Sequence, residues 1–106
     1  MKATYINRGE TIDYINHTET IIEAGAILDL KTRVGIAGTT IFPKEMGSVH
    51  VVGVFCIAKD NSSVDIGDIL YFDGTQLTAA ETGTPAGWAV EAAKAEKKEV
   101  YIKLLG

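Results

Sequence analysis

Val64-Asp65-Ile66-Gly67-Asp68-Ile69-Leu70-Tyr71-Phe72-Asp73-Gly74-Thr75 sets the pattern for this chain: a glycine turn releases a short apolar strand, which Asp73-Gly74 closes with a second turn. Ile22-Glu23-Ala24-Gly25-Ala26-Ile27-Leu28-Asp29-Leu30 follows the same order of a branched apolar residue, an acid, a small or apolar residue, glycine, a variable position and then Ile-Leu. Two copies are too few for a solenoid. They read as an internal two-fold glycine-strand repeat inside one small domain, with Gly25, Gly67, Asp73 and Gly74 as structural turn residues.

Working outward, every other apolar segment is short. Ile12 and Tyr14 alternate with Thr11 and Asp13, the period of a half-buried strand. Val34 to Ala37 is a second short strand after Lys31-Thr32-Arg33, a connection without the tight-turn chemistry of Asp73-Gly74. Pro43 marks Ile41 to Gly47 as a loop. Ser48 to Ala58, with six branched or aromatic apolar residues, reads as one central strand with a bulge or close approach at Gly53. Gln76 to Ala79 returns from the Asp73-Gly74 turn, and Trp88 is expected to anchor the core. Glu91 to Glu99 reads as a strand end and a charged turn, with a single helical turn as the alternative, and Val100 to Leu104 closes the chain as an alternating strand. The expected fold is all-β: a small barrel or sandwich of about eight to ten short strands, in a single domain over residues 1–106.

Composition narrows the function. The chain has 46% apolar and 23% charged residues, the balance of a globular domain. Ten Lys and Arg against 14 Asp and Glu leave a net charge of −4, which argues against nucleic acid as the main ligand. Met1 to Gly9 lacks the apolar core of a signal peptide, and no run reaches transmembrane length, so neither secretion nor a membrane partner is expected. Cys56, the one cysteine, admits no intrachain disulfide and reads as a buried small hydrophobe.

Catalytic patterns are weak throughout. Ser48 and His50 share a strand face at i, i+2, but no serine sits in Gly-x-Ser-x-Gly and pairs of this kind arise in many strands. His17, His50 and Cys56 are too scattered for zinc. The acidic pairs Asp65 with Asp68 and Glu23 with Asp29 flank turns without forming a calcium loop, and read as solvated turn carboxylates. None of the 11 glycines precedes a lysine, so the phosphate-binding loop is absent. No catalytic, cofactor or metal residues are assigned, and no enzyme activity or small-molecule substrate is expected.

Taken in order, Tyr5-Ile6-Asn7-Arg8-Gly9-Glu10-Thr11-Ile12-Asp13-Tyr14, Ile22-Glu23-Ala24-Gly25, Val34-Gly35-Ile36-Ala37, Gly47 to Phe55, Gly67 to Gly74 and Ala86-Gly87-Trp88-Ala89-Val90-Glu91-Ala92-Ala93 resemble a family of small tailed-phage and prophage proteins. These are the capsid cement or head-decoration proteins. The resemblance covers essentially the whole chain. It implies a β-rich structural protein, made in the bacterial cytoplasm, that binds the major capsid protein on the virion surface as a homo-oligomer, with a trimer favoured. A recombinase label carried by some members finds no support here, since the phosphate loop is missing. Lys2, Tyr5 and Arg8, which precede the clear core and have amphipathic side chains, are the expected partner-binding residues. The competing reading is a small β-barrel adaptor for a peptide or glycan, which would present an exposed row from Tyr14, Phe42, Tyr71, Phe72 and Trp88; most of these are expected to be buried.

Overall fold

The computed structural model describes residues 1–105. Among them the regular elements are nine strands: β1 (Thr11–Ile15), β2 (Ile27–Asp29), β3 (Val34–Ala37), β4 (Met46–His50), β5 (Val54–Ala58), β6 (Ile69–Phe72), β7 (Leu77–Thr78), β8 (Thr84–Ala89) and β9 (Glu99–Leu104). They form two antiparallel sheets, one in the order β1-β4-β3-β2 and the other β5-β9-β8-β6-β7. The second order repeats the first strand for strand, with β7 added at its edge. The all-β expectation holds. Glu91 to Glu99 is a charged turn that ends as β9 begins.

The glycine turns explain how strands of two to six residues are held. The Gly25 amide donates to Ala37 O, the Ala26 amide to Glu23 O, and the Ala37 amide to Ala26 O. Around Gly67 the equivalent bonds run from Gly67 to Ala89, Asp68 to Asp65, and Ala89 to Asp68. Both glycines have φ near +90°, which a type II turn requires at its third residue and which a Cβ disfavours. Two further turns lack glycine. The Glu45 amide closes on Phe42 O and the Lys97 amide on Lys94 O, and Ile22 bridges Ile41 as Val64 bridges Ala93. In the first of these Pro43 presets the second position, and Lys44 takes φ +68° where glycine would sit.

Three expectations are corrected. Ser48 to Ala58 is not one strand: β4 ends at His50, Val51-Val52-Gly53 carries the chain across, and β5 starts in the other sheet. A continuous apolar run hides that crossing, because both of its ends are β-forming. Lys31-Thr32-Arg33 does make a tight turn: the Leu30 amide bonds Arg33 O at 2.8 Å, Lys31 sits at φ +79°, and its amide donates to Asp29 Oδ1 at 2.8 Å. The bulge falls between Leu70 and Tyr71, where β6 meets β8, rather than at Gly53.

One core joins the sheets. Val34 and Ile36 of β3 pack with Leu70, Leu77, Ala86, Ala89, Val100, Ile102 and Leu104 from the second sheet, flanked by Ile27, Phe55 and Phe72. Leu70 fills this core, but its repeat neighbour Ile69 is exposed, and Ile27 and Leu28 are half-buried. Strand alternation imposes the difference, since successive side chains point to opposite faces.

Candidate docking surfaces

Residues Met1 to Gly9 form an arm that joins neither sheet and is exposed along its whole length. Lys2, Tyr5 and Arg8 all lie on it, free of the body. Arg8 stands 3.8 Å from Glu10 with both side chains largely in solvent, a geometry that contributes little to stability. Within the arm, the Gly9 amide donates to Asn7 Oδ1 at 2.7 Å, a local turn just before β1. It carries Lys2 and Arg8 and no acid, in a chain of net charge −4. Below its base, Ile12, Leu30, Val51, Val52 and Leu105 line an apolar groove of about 250 Å³ rimmed by Arg33.

The second surface is the outer face of the five-stranded sheet. Inward from β5 and β9 point Phe55, Ile57, Val100, Ile102 and Leu104; outward point Val54, Cys56, Ala58, Glu99, Tyr101 and Lys103. Trp88 shares the outward side, so it is not the expected core anchor, and Cys56 is exposed rather than buried. Partial desolvation, helped by the Glu99 carboxylate beside it, pushes the Cys56 thiol above its ordinary value. Of the five aromatic residues expected to form or bury a row, Phe42 and Trp88 are exposed while Tyr14, Tyr71 and Phe72 are half-buried. None is fully buried.

The groups considered for chemistry are dispersed. The His50 ring meets that of Phe55 at a tilt of 48°, centroids 5.9 Å apart, and lies against Gly38. His17 and Ser48 are exposed. Among the described residues no group of three or more His, Cys, Asp or Glu is placed to hold a metal ion. The turn carboxylates are engaged in shaping the backbone: Asp68 Oδ2 accepts the Asp65 amide, and Asp29 Oδ1 accepts from Lys31 and Thr84.

Sequence reasoning found the arm and the turns but missed the outer sheet face. The signal was present in Val54-Phe55-Cys56-Ile57-Ala58, which is apolar on both alternations. A strand of that kind is either buried on both sides or waiting to be covered on one. The chain exposes 7009 Å² of surface, against roughly 5,700 Å² for a compact monomer of this length. The excess fits a chain with an exposed arm and a flat outline, 41 × 38 × 20 Å overall.

By build this is an all-β protein of two antiparallel sheets that carries exposed apolar area on its surface. A family model described as phage cement protein matches residues 6–104. The chain therefore belongs to the phage cement protein family, and its role is a structural one in the phage capsid. No curated protein and no solved structure matches it.

Proposed function

We propose that the chain binds the exterior of an assembled tailed-phage capsid and stabilises it without catalysing a reaction. The observation that carries this reading is the family match over nearly the whole chain. The architecture supports it: a rigid two-sheet body, a free cationic arm and an apolar groove are what a clamp between neighbouring subunits needs, because it works by adding buried contact area in the assembled state. The partner is the major capsid protein, reached by the arm through Lys2, Tyr5 and Arg8. Assembly as a closed homo-oligomer, with a trimer as the expected form, multiplies weak contacts through effective concentration. Synthesis is in the bacterial cytoplasm and the final location is the virion surface.

Co-sedimentation of the purified protein with mature and immature capsids tests this. Binding to expanded capsids at a stoichiometry that matches a symmetry axis is the expected result; protein that remains in the supernatant with both would refute it. Deletion of residues 1–8 should leave the fold intact and weaken binding. Undiminished affinity after that deletion would remove the arm from the interface.

A further inference from the structure

The outer face of the five-stranded sheet has no cover of its own. Register sets Val54, Lys103, Trp88 and Ile69 in one row across β5, β9, β8 and β6. The next row holds Cys56 and Tyr101, extended by Val90, whose amide bonds Tyr101 O. Val54 is 56% exposed, Ile69 and Tyr101 49% each, and Trp88 36%. In the four-stranded sheet the row at the same place in the strand order is Thr11, His50, Ile36 and Ile27. There Ile36 is in the core and Ile27 packs against it. The isoleucines of that row, Ile36 and Ile27, are thus covered by the core, whereas Trp88 and Ile69 at the matching places of the five-stranded sheet are not. A largely apolar patch, crossed by Lys103 and with Trp and Tyr near its middle, has the make-up of an interface centre.

Charge selects the occupant. Glu99, Tyr101 and Lys103 alternate along β9 and point to the same outer face. A two-fold axis lying in that face, along the Cys56–Tyr101 row, lays β9 of a second copy antiparallel over β9. Glu99 then meets Lys103 of the second copy, and Lys103 meets its Glu99. The other in-plane axis, along β9, stacks Lys103 on Lys103 and Glu99 on Glu99, which costs energy through like-charge repulsion. We infer that this face pairs with the same face of a second copy of the chain, β9 on β9, with Tyr101 at the axis and a Glu99–Lys103 pair on each side.

The contact is isologous and closes on itself. It is smaller than a standard interface of about 20–30 residues a side, so it is weak in free solution and strengthens where copies are held side by side. It leaves the arm and the four-stranded sheet free to build a ring or to bind a shell. It also places Cys56 opposite Cys56 of the second copy. Packed sheets stand about 10 Å apart, too far for a direct disulfide, whose Cα atoms lie within about 7 Å, and within reach of a short bismaleimide.

Sedimentation velocity of the full chain over a wide concentration range, without capsids, tests the pairing. Wild type should show reversible, concentration-dependent pairing, and Lys103→Glu and Glu99→Lys should each weaken it about tenfold or more. The double exchange Glu99→Lys with Lys103→Glu should restore it, which a merely structural role for either residue would not do. A bismaleimide with a spacer of about 10 Å should join two wild-type chains and fail with Cys56→Ser. A monomer at every concentration, a pair indifferent to both single reversals, or a pair that the double exchange does not restore overturns the inference. Since no capsid is present, such a failure leaves binding to the capsid untouched, and a trimer that survives both single reversals would separate the proposed closed oligomer from this pairing.

Discussion

Thr84 donates from Oγ1 to Oδ1 of Asp29 over 2.9 Å, a hydrogen bond that ties β8 of one sheet to β2 of the other. The same oxygen accepts the Lys31 amide, so one carboxylate fixes a turn and the seam between sheets together. Thr84 is only 6% exposed, and its hydroxyl has little access to water. Asp29→Ala should therefore cost about 1–3 kcal/mol, the usual penalty for unpairing a buried polar group. Thr84→Val should cost less, since water can reach the exposed carboxylate it abandons. Denaturant melts of both single variants and the double variant should show a coupling of about 0.5 kcal/mol or more. Strict additivity would show that apolar packing alone holds the sheets together.

Asn16 and Lys59 stand at corresponding places, each just beyond the first strand of its sheet, and both are buried polar residues. Asn16 Nδ2 donates to Thr20 O and Ile41 O, while its Oδ1 accepts from the Thr18 amide and hydroxyl. Lys59 Nζ donates to Asp60 O and Ser62 O. Each pins the polar loop that leads into a glycine turn. Asn16→Ala unpairs several groups at once and should cost about 3 kcal/mol or more. Lys59→Met keeps the apolar stem and should cost less than Lys59→Ala. Thermal unfolding of the three variants checks the order.

The turns make a prediction of opposite signs. A Cβ at Gly67 would meet no atom within 4 Å, so the cost of Gly67→Ala is backbone strain alone, about 1–2 kcal/mol. Gly67→Val should cost more, and should show as lost stability before lost capsid binding. Lys31 and Lys44 already bear that strain at φ +79° and +68°. Lys31→Gly and Lys44→Gly should therefore be neutral or stabilising by up to about 1 kcal/mol, despite the greater freedom glycine gives the unfolded chain. Destabilisation by both would mean that the lysine side chains hold the turns in some other way.

These positions also mark where sequence reading stops. Glycine and Asp-Gly signal a turn because the backbone conformation excludes most other residues, so Gly25, Gly67 and Asp73-Gly74 were legible. Lys31 and Lys44 reach the same conformation with support from Asp29 and Pro43, leaving no compositional trace. Nor can composition tell which alternation of an apolar strand faces inward. Phe55 and Val54 look alike in sequence, and only the pairing of β5 with β9 turns one toward the core and the other out. The same ambiguity makes Trp88 and Cys56 read as buried, while Lys2, Tyr5 and Arg8 on the arm are legible only as residues outside any strand pattern.

Acid should weaken the fold through two turn carboxylates. Hydrogen bonding from the Ser62 hydroxyl, then from the Thr78 hydroxyl and the Ser62 amide, holds the Asp60 carboxyl below its ordinary value, outweighing partial desolvation. The Thr75 and Gln76 amides do the same for Asp73, whose Oδ1 also accepts the Thr75 hydroxyl. A depressed folded-state pKa means that the native chain holds these protons less tightly than the unfolded chain does. The stabilisation is therefore complete above the unfolded carboxyl range near pH 4, and is lost as pH falls through the lower folded values. Stability measured by denaturant melts should be level from about pH 5 to 7 and drop below about pH 4. Asp60→Asn should lower the plateau and flatten that drop, because the amide cannot titrate; an unchanged acid limb in Asp60→Asn and Asp73→Asn alike would place the sensitivity elsewhere.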